Sequence, residues 1–246
     1  MKYDGETKKF DKSGISLIRM ILIVIIPIIV YSISALPSVL IVGSYLHYAT
    51  LYFQHWIIPL IILPFILLIS FLILIFSTMF FTGMTIKIFH LTYEPGKHRK
   101  SVNDKNTFHF GLFYILYRPT VKLLNVFFIS PIFAAYLRLV GAKVGKNVFF
   151  GGRNTISDPC VVEIGDNTLI GGGATIMGHL GEDKLVISKV VIEDHCLVGA
   201  EALLMPGVHL KHHSVVGGKS LVTKNKVLES HTMYGGVPVK EIKKNK

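Results

Sequence analysis

The chain has 246 residues, 51% of them apolar, and a formal net charge of +11. Its basic residues cluster beside apolar runs, and no nucleic-acid-binding module accompanies them, so the charge points to anionic lipid headgroups and excludes nucleic acid as the expected partner. Only two cysteines occur, Cys160 and Cys196, and they say nothing about disulfides, since they fall in a region expected to face the cytoplasm, where thiols stay reduced.

Residues 1–14 read as a basic tail, with Lys2, Lys8, Lys9 and Lys12. Two apolar segments follow within residues 15–90. One spans about 15–36 around MILIVIIPIIV; the other, about 56–81, contains no charged residue. Roughly 20 apolar residues cross a hydrocarbon core, so both are long enough. The first is too long for a secretory signal and lacks a small-residue cleavage site. Pro27, Pro59 and Pro64 fall inside these runs, where neighbouring helices can accommodate them and kinks are expected. The stretch 37–55 between the runs carries no Lys or Arg, whereas Lys87, Lys97, Arg99 and Lys100 follow the second. The positive-inside rule therefore puts the N-terminus and everything after the second run in the cytoplasm, making this a multi-pass protein of the cell membrane. Residues 39–53 are apolar but short for a span of their own, and a re-entrant segment is an open alternative. Within the juxtamembrane region 91–143, residues 108–140 are apolar but interrupted by Arg118, Pro119, Lys122 and Arg138. An in-plane amphipathic helix, aromatics among headgroups and basic residues facing phosphates, accounts for that pattern, with a third span as the alternative.

From Val144 the sequence divides into sixes: VGKNVF, FGGRNT, ISDPCV, IGDNTL, IGGGAT, IMGHLG, VISKVV, IEDHCL, VGAEAL, LMPGVH, LKHHSV, VGGKSL, VTKNKV. The first position is aliphatic or aromatic, the second often Gly, the fifth usually small. Such a period predicts a left-handed parallel β-helix over 144–228, in which three hexapeptides make a triangular coil of about 18 residues and coils stack in one dimension. First and fifth positions point inward, and Gly at the second is read as serving the corner geometry. Cys160 and Cys196 fall on fifth positions and are expected to be small buried hydrophobes. The frame breaks near Val162–Glu163 and within Leu180–Leu185. Residues 229–246 form an exit segment and a basic tail ending in Lys240, Lys243, Lys244 and Lys246. The fold class is thus a membrane α-helical anchor, two transmembrane helices plus an interfacial helix, followed by an all-β left-handed β-helix.

The ending VGGKSLVTKNKVLESHTMYGGVPVKEI, with its Ser-x-Val-Thr-Lys run and Gly-x-Pro-x-Lys exit, resembles the hexapeptide-repeat acyltransferase superfamily. More narrowly, YLRLVGAKVGKNVFF, DPCVVEIGDNTLIGGGATIMGHLGEDK and VVIEDHCLVGAEALLMPGVHL resemble the C-terminal membrane-embedded repeat domains of polylysine-synthetase-type nonribosomal peptide synthetases. The superfamily resemblance implies a homotrimer with active sites between neighbouring prisms, an acetyl-CoA or other acyl thioester donor along the cleft, and a His general base.

His179 matches the family's His in the run HLGED. It sits on an outward fourth position just before the longest frame break, and an imidazole there can take a proton from an attacking hydroxyl. Asp158 and Glu163 flank the first break and are candidates to orient it. His195 holds the equivalent place in IEDHCL without an adjacent loop. His209, His212 and His213 cluster, but the spacing of a zinc set is missing, and no metal is expected. By resemblance, Gly199, Ala200, Gly217 and Gly218 lie along the donor's pantetheine arm, and Lys224 and Lys240 near its nucleotide phosphates. The expected activity is transfer of an acetyl or other acyl group from CoA or a carrier thioester to a hydroxyl or amine of a membrane-proximal acceptor, lipid-linked or an amine. The alternatives are an amide-forming enzyme acting on aminoacyl or polyamine substrates, and a non-catalytic trimeric membrane scaffold.

Overall fold

A computed structural model describes residues 16–52 and 55–244. The basic tail 1–14 and the ends of the chain beyond 244 lie outside the described residues.

Helix α1 runs from Leu17 to Tyr52 and helix α2 from Ile57 to Ile88. Both are long and apolar enough to cross a membrane. At 1.5 Å per residue they extend about 54 and 48 Å, well beyond a hydrocarbon core of about 30 Å. Hence α1 does not stop near Leu36. Pro37 lies inside it, and the described part of 39–53 continues the helix rather than forming a separate re-entrant segment. No Pro lies between Pro37 and Tyr52 to stop the helix, and hydrogen bonds to α2 hold it around Ser34–Ser38. The Ser38 hydroxyl donates to the Ser70 carbonyl (2.8 Å), the Ser70 hydroxyl to the Ser38 carbonyl (2.9 Å), and the Ser77 hydroxyl to the Ser34 carbonyl (2.5 Å). Small polar side chains let two helices approach closely while satisfying one another.

The segment 108–140 folds as two helices, α3 (Lys105–Leu124) and α4 (Ser130–Leu139). Asp104 caps α3 by accepting from the Thr107 N–H at 3.0 Å. Instead of lying open on one apolar face, α3 buries Leu112, Phe113, Leu116, Tyr117 and Thr120 between the long helices and the C-terminal half. It follows α1: Arg19 reaches the Phe108 ring (5.5 Å) and the Tyr31 hydroxyl donates to the Leu116 carbonyl (2.8 Å). Thr82, Thr120 and Tyr136 join α2, α3 and α4 through their hydroxyls. Helix α4 plugs the open end of the β-structure: Phe133 meets Phe150 edge-on at 5.1 Å, and the Ser130 hydroxyl accepts from the Phe150 N–H.

From Lys143 the chain winds into a three-faced parallel β-helix. The first face contains the strands at 143–144, 162–164, 190–192, 209–210 and 227–228. The second contains those at 149–150, 169–170, 197–198, 215–216 and 232–235, and the third those at 155–156, 175–176, 203–204 and 221–222. A final strand, Lys240–Lys244, returns antiparallel along the second face. First-position residues Phe150, Ile156, Ile170, Ile176, Val198, Leu204, Leu210, Val216 and Val222 are fully buried, and so are Ala174, Ala202, Val208 and Ser214 at the fifth.

Register shows where the frame breaks. Val198 pairs with Val216, 18 residues on, which is one undistorted coil. Phe150 pairs with Ile170, 20 residues on, and Ile170 with Val198, 28 residues on. The first excess is taken up at a one-turn 3-10 helix, Pro159–Val161. The second is a β-hairpin, His179–Gly181 with Leu185–Ile187, against which the strand Gly96–His98 adds antiparallel. Val186 therefore belongs to this hairpin, paired with Leu180 and Lys97, and VISKVV is not a prism unit.

The second-position glycines serve a different need from the one expected. The left-handed residues are at the fourth position, including Asn147, Asn167, His195, His213, Asn225 and His231. A Cβ on Gly151 would lie 2.5 Å from the Gly172 nitrogen, and one on Gly171 2.5 Å from the Ala200 nitrogen. Gly at the second position therefore admits the backbone of the adjacent coil.

Candidate active site

His179 follows the third-face strand Thr175–Ile176 and opens the hairpin, so its ring is set by a rigid coil on one side and a loop on the other. Its Nδ1 lies 2.7 Å from Asp158 Oδ2, which also accepts from the Gly178 N–H at 2.8 Å. Asp158 Oδ1 accepts from the Tyr93 hydroxyl at 2.7 Å. Asp158 is fully buried, whereas the His179 side chain keeps 20% of its surface exposed. A carboxylate accepts, so Nδ1 donates and Nε2 carries the lone pair. Among the described residues Nε2 has no hydrogen-bond partner. Burial and the neighbouring Asp158 push the Tyr93 hydroxyl well above its usual range, which keeps it a donor. Cys160, in the 3-10 turn beside this group, has its thiol pushed up to about 11 by burial and is a poor nucleophile.

Helix α3 supplies the wall opposite the imidazole. The Phe110 ring stands edge-on at 4.7 Å and Tyr114 at 6.5 Å. Above His179 on the same corner, a recess is lined by Leu180, Gly181, Glu182, Met205, Thr223 and Lys224. Lys224 pairs with Glu182 on the hairpin, and the Lys100 ammonium donates to the Glu182 carbonyl.

The remaining expected residues are distributed over other edges. Glu163 lies on the first face, between Lys143 (2.6 Å) and Lys189 (2.7 Å), and does not touch His179. Burial opposes its ionisation, but the two lysines outweigh that and hold its carboxyl below the usual range. His195, His213 and His231 stack at the corner between the first and second faces, with ring centroids 4.8 and 4.7 Å apart. Partial desolvation and the flanking imidazoles lower the pKa of His213. His209 and His212 face the Glu193 carboxylate. Among the described residues no three His, Cys, Asp or Glu side chains are arranged to hold a metal ion.

Gly199, Ala200, Gly217 and Gly218 form the corner between the second and third faces, where a Cβ on Gly199 would lie 2.7 Å from the Gly218 Cα. That edge is glycine-rich but also carries the exposed Glu201–Lys219 pair (3.7 Å), and it is continued by a recess at Gly151, Gly152, Gly172 and Gly173 that Arg153 and Glu201 also line. Lys240 pairs with Gly235, one coil beyond Gly217. Within one chain this edge and His179 lie at opposite ends of the third face, separated by about five residues, or roughly 16 Å at ~3.3 Å per residue. Lys224 stands on the His179 edge, apart from the other donor positions.

Tyr93 is a site residue that sequence reading missed; it contacts Asp158 from 65 positions away, with no local signal.

These features define a parallel β-helix carried on an apolar helical hairpin, with a buried-carboxylate–histidine pair at a prism corner. In the C-terminal half, residues 141–177, 161–183 and 189–224 match the family model described as the hexapeptide repeat of succinyl-transferase. No curated protein sequence matches the chain. Among solved structures, a hexapeptide-repeat acetyltransferase from Vibrio cholerae is 18% identical over 52% of this chain and 90% of its own (TM-score 0.43). A maltose O-acetyltransferase from Clostridium difficile is 19% identical over 52% and 86% (0.40). An N-acyltransferase from Bacillus cereus, in complex with dTDP and coenzyme A, is 22% identical over 46% and 89% (0.33).

Proposed function

We propose that the protein is a membrane-anchored acyltransferase that uses His179 as general base toward a hydroxyl or amine of a membrane-proximal acceptor. The observation that carries this reading is the hydrogen-bonded chain Tyr93–Asp158–His179, which fixes the imidazole tautomer and leaves Nε2 free beside α3. In the reaction, Nε2 takes the proton as the acceptor oxygen or nitrogen attacks the thioester carbonyl. Collapse of the tetrahedral intermediate breaks the C–S bond, and the imidazolium returns the proton to the departing thiolate. Buried Asp158 stabilises the transient imidazolium, and general-base catalysis of this kind contributes about 10²–10⁴-fold.

Acetyl-CoA or another acyl-CoA is the donor in this reading. The glycine-rich corner Gly199–Ala200 and Gly217–Gly218 offers backbone to the narrow pantetheine arm, with Lys240 placed for its phosphates. Because that corner and His179 are separated within one chain, the working enzyme is a homotrimer whose sites combine edges of two prisms. Helices α1 and α2 cross the cell membrane, with the prism on the cytoplasmic side by the Lys and Arg flanks. Anchoring confines enzyme and a lipid-linked acceptor to the same surface and raises their effective concentration.

The test is thiol release from acetyl-CoA by detergent-purified full-length protein mixed with an extract of its own membranes. Extract-dependent release is expected, and His179→Ala should reduce it by about 10²-fold or more. Equal release from the variant would remove His179 from the mechanism.

A further inference from the structure

Phe110, Tyr114 and Arg118 fall four residues apart on α3 and line one face over about 12 Å. Phe110 and Tyr114 flank His179, and the Arg118 guanidinium lies 4.7 Å over the Tyr114 ring while donating to its hydroxyl at 2.5 Å. Among the described residues Arg118 has no carboxylate partner, and a single one of its five N–H donors has an acceptor. Arg118 is half-buried and adjoins exposed Ile115 and Pro119.

The direction of α3 gives this arginine a meaning. Phe108 lies at Arg19, Gly111 at Ile23 and Leu116 at Tyr31, so α3 runs alongside α1, from its first turn toward the Ser34–Ser38 contacts with α2. Arg118 is therefore displaced from His179 toward the apolar helices. A cation placed there is costly unless an anion joins it, and a guanidinium pairs with phosphate through parallel N–H bonds.

Building on the acyltransferase reading, we infer that Arg118 binds the phosphate of the acceptor. The acceptor class is a phosphate-bearing membrane amphiphile whose hydroxyl or amine reaches His179 along the Phe110–Tyr114 wall. In this assignment Arg118 is a specificity-determining residue and takes no part in proton transfer.

Dodecyl phosphate, a single-chain phosphate monoester, is the probe, titrated into full-length protein in a neutral maltoside detergent. It is expected to bind with Arg118→Gln at least tenfold weaker, Arg118→Lys intermediate, and His179→Gln equal to wild type. Inorganic phosphate and CoA are not expected to displace it. Equal binding by Arg118→Gln overturns the assignment. So does displacement by CoA, which would move Arg118 to the donor site, or by inorganic phosphate at matching concentration, which would make this a free-anion site. Arg118-dependent binding without any thiol release would count against the acyltransferase reading while leaving the phosphate site standing, so the two failures are distinguishable.

Discussion

At Asp158, replacement by Asn separates geometry from charge. The amide oxygen can still accept from Gly178 and His179 while the amide nitrogen faces the Tyr93 hydroxyl, so every partner at 2.7–2.8 Å keeps a hydrogen bond. What disappears is the negative charge beside the imidazolium that the proposed proton transfer would form. Asp158→Asn should therefore lower kcat by about 10²-fold with KM and melting temperature little changed, read by thiol release and by thermal unfolding in detergent. Asp158→Ala differs in kind, since it leaves Tyr93 and Gly178 unsatisfied in a buried place and should also destabilise the fold by about 1–3 kcal/mol for each group. A variant pair in which Asn and Ala behave alike would mean that Asp158 holds the fold and not the base.

At the scale of elements, the coil repeat separates two glycine-like demands that the sequence pattern merges. A Cβ on Gly165 would stand 2.6 Å from the Asp194 nitrogen, and the next coil's backbone cannot retreat without breaking the strand register on either side. Gly165→Ala should cost about 3 kcal/mol or more, as overpacking against backbone does. Asn167, two residues on, adopts φ 53°, and Asn167→Ala should cost about 1 kcal/mol, mainly through left-handed strain, with a small addition from the exposed hydrogen bond that its Oδ1 accepts from Asn147 at 3.1 Å. Denaturant unfolding of both variants gives the comparison; equal losses would show that close approach is not what the second position requires. The repeat itself was legible because inward positions recur every six residues, and the breaks marked both the 3-10 turn and the hairpin. Neither the pairing of the hairpin with Gly96–His98 nor the sandwiching of α3 was legible, since both depend on contacts 80 or more residues apart. His179 could be singled out because it adjoins a break; Tyr93 could not, because nothing in its own neighbourhood differs from an ordinary linker aromatic.

For the whole molecule, the separation of the His179 edge from the glycine edge makes a prediction about assembly. If each site takes its base from one chain and its donor groove from the next, then damaging the two edges in different chains leaves some sites intact. Ala200→Trp places a bulky ring on the exposed glycine edge, where a side chain already projects without meeting the next coil. His179→Ala removes the base and leaves that edge alone. Each homogeneous variant should be nearly inactive. Co-expressed at equal levels and mixed at random in a closed ring, about one quarter of the sites pair an intact His179 with an intact groove, so the mixture should recover about one quarter of wild-type thiol release. A protein that builds its whole site within one chain gives no such recovery, because every chain in the mixture carries one lesion. Mixing the purified variants without subunit exchange is the control, and recovery there at the co-expressed level would remove the shared-site interpretation. Recovery confined to the co-expressed sample would tie the prism's spacing and the separation of its two edges to one chemical requirement: two corners of different chains meeting over one thioester.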